Sequence, residues 1–89
     1  MQHQSEVVIV NKYGLHARPA AEFVKLANRF ASEVFIRKDD VEVSGKSIMG
    51  VMMLAAECGS IVHIRAAGDD ATGAVDALVE LIRNRFGEE

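Results

Sequence analysis

Apolar and polar positions along the chain follow two distinct periods, and the switches between them mark out the elements. Ser5–Val10 is a short run rich in β-branched residues and reads as a strand. The polar Met1–Gln4 ahead of it reads as a frayed end. Asn11-Lys12-Tyr13-Gly14 follows as a loop. From Ala20 the period lengthens: Ala20, Phe23, Val24, Ala27 and Ala31 sit at helical spacing. Pro19 falls just before that stripe, where a first-turn proline forfeits no needed hydrogen bond. The pattern predicts a helix from about Ala17 to Phe30. Glu33–Lys38 reads as a second strand, Asp39-Asp40 as a turn and Asp40–Val43 as a short third strand, together a hairpin. Ser47 stands as a favoured N-cap before the apolar stretch Ile48–Ala56, and Gly59 occupies the place of a closing C′ glycine. Ile61–Ala66 alternates as a fourth strand. Gly68-Asp69-Asp70 then opens the strongest helical stripe: Ala71, Ala74, Val75, Leu78, Val79, Ile82 and Phe86.

The predicted order is βαββαβα, an α+β chain that forms two layers if its three helices cover one face of a four-stranded sheet. Right-handed crossovers place another strand between the first and the second. No Ser/Pro-rich stretch or long charge run suggests a linker, so residues 1–89 read as a single domain.

Composition narrows the function. Apolar residues make up 49% and charged residues 26%, which argues against a disordered chain. Ten Lys+Arg against thirteen Asp+Glu, a net charge of −3, argue against nucleic acid as a partner, because phosphate neutralisation would supply most of that affinity. The single cysteine cannot form an internal disulfide. The longest early apolar run, Val7–Val10, falls far short of the ~20 residues a membrane span needs, so no membrane association and a cytoplasmic location are expected. His3, His16 and His63 lack metal-ligand spacing, and there is no Cys-x-x-Cys, Walker loop or dinucleotide fingerprint. No metal or cofactor is therefore expected. Cys58 reads as a small, partly buried filler, His63 as a residue on the open face of its strand, and Glu57, Asp69 and Asp70 as capping and surface charges.

The segment that carries chemistry is Gly14-Leu15-His16-Ala17-Arg18-Pro19-Ala20. It sets a histidine at a strand-to-helix junction, where the first helical amides lack internal partners and the helix dipole favours an anion. Arg18 adds a planar fork suited to phosphate oxygens, and a neutral imidazole is a good nucleophile. Together these make a coherent phosphohistidine site. On spacing alone, a helix-capping or loop histidine beside a solvated arginine fits equally well.

The heptapeptide resembles the active-site signature of the histidine-containing phosphocarrier (HPr) family of the bacterial sugar phosphotransferase system. Lys46-Ser47-Ile48-Met49-Gly50-Val51-Met52 resembles that family's regulatory-serine motif. The resemblance runs from Val7 to Phe86 and implies an open-faced β-sandwich, an antiparallel sheet under three helices. It implies a stoichiometric carrier rather than an enzyme: phospho-Enzyme I phosphorylates His16 on Nδ1, Arg18 contacts the phosphoryl group, and an Enzyme IIA domain receives it. It also implies that Ser47 is phosphorylated by HPr kinase/phosphorylase.

A docking surface is expected at Leu15, Ile48, Met49 and Met52, since Val51, Leu54 and Ala55 form a competing face able to fill the core, and methionine repacks readily against several partners. Lys25, Arg29 and Lys46 are expected to rim it with positive charge. A monomer is expected. Tyr13 departs from the small or polar residue usual at its position in the family. An alternative is a regulatory module of the same fold, in a nitrogen-type chain or in catabolite control, acting through Ser47 and the Ile48–Met52 patch on an enzyme or transcription regulator.

Overall fold

The computed structural model describes residues 1–88. Its strands are β1 (Gln2–Val8), β2 (Glu33–Lys38), β3 (Val41–Ser44) and β4 (Ile61–Ala67), and its helices α1 (Ala17–Ala27), α2 (Ile48–Met53) and α3 (Ala71–Arg83), followed by a 3₁₀ turn at Arg85–Gly87. The sheet runs β1-β4-β2-β3 with every neighbouring pair antiparallel. β4 thus separates β1 from β2, as expected. Along β4, Val62, Ile64 and Ala66 are buried while Ile61, His63 and Arg65 point to the uncovered face. This one-sided alternation marks an open sandwich with all three helices on one face. Its core centres on Ile9, Phe23, Ile36, Ile64, Leu78 and Ile82, all fully buried.

Several boundaries differ from expectation, each for a long-range reason. β1 begins at Gln2 rather than Ser5, because Gln2, His3 and Gln4 pair with Ala67, Ala66 and Arg65 of β4. Backbone pairing orders a segment that has no apolar pattern of its own. α1 stops at Ala27 rather than Phe30. The Asn28 side chain donates to the Val24 carbonyl at 3.0 Å, and the amides of Ala31 and Ser32 turn instead to the Asp70 carboxylate at 2.8 and 2.9 Å. α2 is only six residues long and does not reach Gly59. Leu54 caps it, Ala55 turns the chain at φ +51°, and the Ala56 carbonyl accepts from Leu15 N at 2.8 Å rather than from a further helical turn. Phe86 is buried as its stripe suggests, yet it lies beyond α3 in the 3₁₀ turn.

Three residues also sit differently from their expected settings. Leu15 is 4% exposed and belongs to the core, so its side chain adds little area to the expected docking surface. Cys58 is exposed rather than a filler. Asp70 stands at the N-cap position of α3 without capping it; its carboxylate binds the Ser32 hydroxyl and the two amides before β2. On the uncovered face Arg65 lies over the Phe35 ring, 4.2 Å from its centroid, and binds Glu42 at 2.9 Å; that contact holds the Glu42 carboxyl below its usual range.

Two outcomes follow for stability. Leu15→Ala is expected to cost ~2–4 kcal/mol in urea unfolding, as for a large aliphatic core truncation. The hydrogen bond from Ser32, and then the Ala31 and Ser32 amides, depress the Asp70 pKa from 3.8. A depressed carboxylate stabilises the fold above its unfolded pKa and loses that contribution as the pH falls through the lower, folded value. Asp70→Asn should therefore lower the thermal midpoint at neutral pH and leave a shallower decline in stability below pH 3.8 than the unsubstituted chain shows.

Candidate phosphoryl-transfer site

The turn between β1 and α1 is built around two residues that face inward. Asn11 is fully buried, and its Nδ2 donates to the Gly14 carbonyl at 2.8 Å, while Gly14 N returns to the Asn11 carbonyl at 3.2 Å. Gly14 has φ +69°, and a Cβ there would strike the Ala56 carbonyl, so the tight approach to the α2–β4 connection demands glycine. Leu15 then plugs into the core, and His16 emerges beside it with its side chain 40% exposed.

His16 occupies the N-cap position of α1 in an extended conformation, and its ring makes no capping hydrogen bond. A capping histidine is thereby excluded. Its carbonyl accepts from Ala20 N at 2.9 Å. Pro19 has no N–H, which leaves the amides of Ala17 and Arg18 as the open donors of the first turn. Arg18 is exposed and makes no ion pair among the described residues. An open cleft of about 600 Å³ lies in front of the ring, lined by Lys12, Tyr13, His16, Arg18, Gly87 and Glu88. Tyr13 meets the imidazole edge-on, with centroids 6.1 Å apart, and Lys12 Nζ lies 5.2 Å from the Tyr13 centroid.

A second depression shares Tyr13 and His16 with this cleft and is walled also by Leu15, Met52 and Ala55–Glu57, which makes α2 continuous with the site. Ile48, Met49, Met52 and Met53 are 44%, 74%, 40% and 74% exposed, while Val51 and Leu54 are buried. Met53 joins this apolar surface although spacing did not single it out. Ser47 caps α2, its Oγ accepting from Gly50 N at 3.0 Å.

The expected basic rim is not assembled. Lys25 and Arg29 line a separate depression against Leu81 of α3, and Lys46 Nζ is tied to the Phe30 carbonyl at 2.8 Å. The cations that share the His16 cleft are Arg18 and Lys12, the second unflagged because a lone loop lysine carries no pattern. Glu88 was likewise missed: its Oε2 lies 3.1 Å from His16 Nε2 and its Oε1 accepts from Asn11 Nδ2 at 3.1 Å. Both contacts cross more than seventy positions of sequence, and the only local hint is Gly87, a residue free to turn the chain beyond α3. His63 is on the uncovered sheet face, between Glu6 and Arg37, away from this cleft.

Comparison with known proteins gives the chain's family. Residues 3–84 match the family model described as the PTS HPr component phosphorylation site. The phosphocarrier protein HPr of Pseudomonas putida is 55% identical over 84 residues, covering 93% of each chain. That of Cupriavidus necator is 51% identical over 85 residues, covering 96% of each. Among solved structures, HPr from Thermoanaerobacter tengcongensis superposes with a TM-score of 0.94 at 48% identity, covering 98% of both chains. With an uncapped, half-exposed histidine at a helix mouth and full-length similarity of this order, the chain belongs to the HPr family of phosphocarrier proteins of the phosphotransferase system.

Proposed function

We propose that this chain accepts a phosphoryl group from phospho-Enzyme I on His16 Nδ1 and donates it to an Enzyme IIA domain. The observation that carries the reading is the exposed imidazole at the mouth of α1, with open amides at Ala17 and Arg18 and the cations Arg18 and Lys12 beside one cleft. The Nδ1 lone pair attacks phosphorus as the bond to the donor imidazole breaks. The arriving oxygens can be met by the first-turn amides and by the Arg18 fork. The site is open on one side, which suits a carrier: a closed, multi-cation pocket would hold the phosphoryl group too firmly to pass it on. No small molecule is turned over, and no helix among the described residues is long and apolar enough to cross a membrane. We place the carrier in the cytoplasm as a monomer.

Partners dock, on this reading, over the surface formed by Tyr13, Ile48, Met49, Met52 and Met53 around His16. A deformable methionine face can serve both an upstream and a downstream partner. Ser47 is the proposed target of HPr kinase/phosphorylase. Phosphate there adds ~−1.5 to −2 charge at the start of α2, which disturbs Enzyme I docking while the imidazole stays chemically competent.

Incubation with Enzyme I and phosphoenolpyruvate should give an acid-labile, base-stable adduct. His16→Ala should remove it, and Arg18→Ala should slow its formation by about ten- to a hundredfold, the scale of one charge-assisted contact. Equal labelling of His16→Ala would overturn the reading. Ser47→Asp should fold normally and slow acceptance from Enzyme I through a raised KM, measured by initial rates against carrier concentration.

A further inference from the structure

Glu88 reaches the His16 ring by a costly backbone path. Beyond α3, Arg85, Phe86 and Gly87 take φ of +57°, +55° and +75° in succession. For the two non-glycine residues this left-handed region crowds Cβ against the following carbonyl. The turn is held by the Phe86 ring, 5% exposed, and by the Glu88 amide, which donates to the Arg85 carbonyl at 2.7 Å. What it delivers is a carboxylate whose side chain is only 13% exposed. One oxygen is fixed by Asn11 Nδ2 and the other faces His16 Nε2, both at 3.1 Å. Asn11 is in turn locked by burial and by its bond to the Gly14 carbonyl.

We propose that Asn11 and Glu88 are positioning residues that select the attacking nitrogen of His16 and balance the charge of its phosphorylated ring. A carboxylate only accepts, so Nε2 carries the ring proton and Nδ1 presents its lone pair to the cleft. This rests on the carrier reading. As the new N–P bond forms at Nδ1, the old N–P bond breaks and its electron pair stays on the donor imidazole. No proton moves. The His16 ring, substituted at Nδ1 and still protonated at Nε2, becomes an imidazolium, and the donor ring becomes neutral. Glu88 already faces the nitrogen that shares the positive charge, while Arg18 and Lys12 lie along the same cleft for the phosphoryl oxygens. The two charges of the phosphorylated ring are thus met separately. Glu88 thereby sets how firmly the phosphoryl group is held.

Two variants separate the parts of the proposal, because Glu88→Ala removes acceptor and charge whereas Glu88→Gln keeps an amide oxygen to accept from Nε2. The readouts are the ¹⁵N shifts of the two His16 ring nitrogens in the unphosphorylated chain and the phosphoryl-exchange equilibrium with Enzyme I. In the unsubstituted chain the shifts should be those of an Nε2–H ring. In Glu88→Ala they should converge as the tautomers mix, with the equilibrium displaced about tenfold toward phospho-Enzyme I, the low end of the scale for one charge-assisted contact. Glu88→Gln should retain the ring shifts and show the displacement. Unchanged ring shifts in Glu88→Ala, or an equilibrium within about twofold of the unsubstituted chain, overturns the proposal. The ring shifts need no phosphoryl donor, so they decide the geometry even if the unsubstituted chain accepts no phosphate, a result that would sink the carrier reading itself.

Discussion

The site depends on one clamp, the docking of the β1–α1 turn onto the α2–β4 connection. The Leu15 amide donates to the Ala56 carbonyl, the Leu15 side chain is buried, and Gly14 passes so close to Ala56 that no Cβ fits. Burying a leucine contributes ~1.5–3 kcal/mol, enough to hold a single turn against fraying. Because Leu15 is committed inward, the next residue is turned out, and that residue is His16. The same hydrogen bond uses the Ala56 carbonyl and so accompanies the early end of α2. Site exposure and helix length are therefore two results of one contact.

An exposed imidazole still needs an environment, and here it is assembled from three remote pieces of chain. The β1–α1 loop brings Lys12 and Tyr13, the first turn of α1 brings Arg18 and two open amides, and the strained turn after α3 brings Glu88. Cations and open amides favour an incoming anion, and a carboxylate at the opposite ring nitrogen favours a cationic ring. A site with only the cations would favour the phosphoryl group and oppose the charge that forms on the imidazole carrying it. On the proposed reading, both signs around one ring keep the bound state moderate in energy, which reversible passage from one protein to another requires.

Much of this was legible locally. Strand and helix periods placed all seven elements, and Ser47 before an apolar run identified the α2 cap, because these signals lie within a few residues of one another. What was not legible spans the chain. The order of Gln2–Gln4 comes from β4, some sixty residues away, and the true partners of Asp70 are at Ala31 and Ser32. Leu15 beside His16 reads as a surface residue until the turn is seen folded over Ala56. Glu88 and Asn11 could not be linked to His16 by any spacing, since the tail must first reverse through a left-handed turn. Phe86 misled in a telling way: its distance from Ile82 fits a helical face, yet its burial serves to anchor that reversal.

The brevity of α2 also bears on the two phosphorylations proposed for this small chain. Six residues rise only about 9 Å, with Ser47 capping one end and Met52 beside the His16 depression at the other. On the proposed reading, a phosphate on Ser47 adds its charge at the end of α2 away from that depression, where solvent screens it. Ile48, next to Ser47 in the chain, is exposed and shares the proposed docking face with Met49. An apolar partner surface pressed there would have to desolvate the added charge, at a cost that grows as water is excluded. On that reading the helix sets the two proposed phosphorylations at opposite ends and is short enough for one partner footprint to cover both, so a phosphate on Ser47 acts on docking rather than on the imidazole.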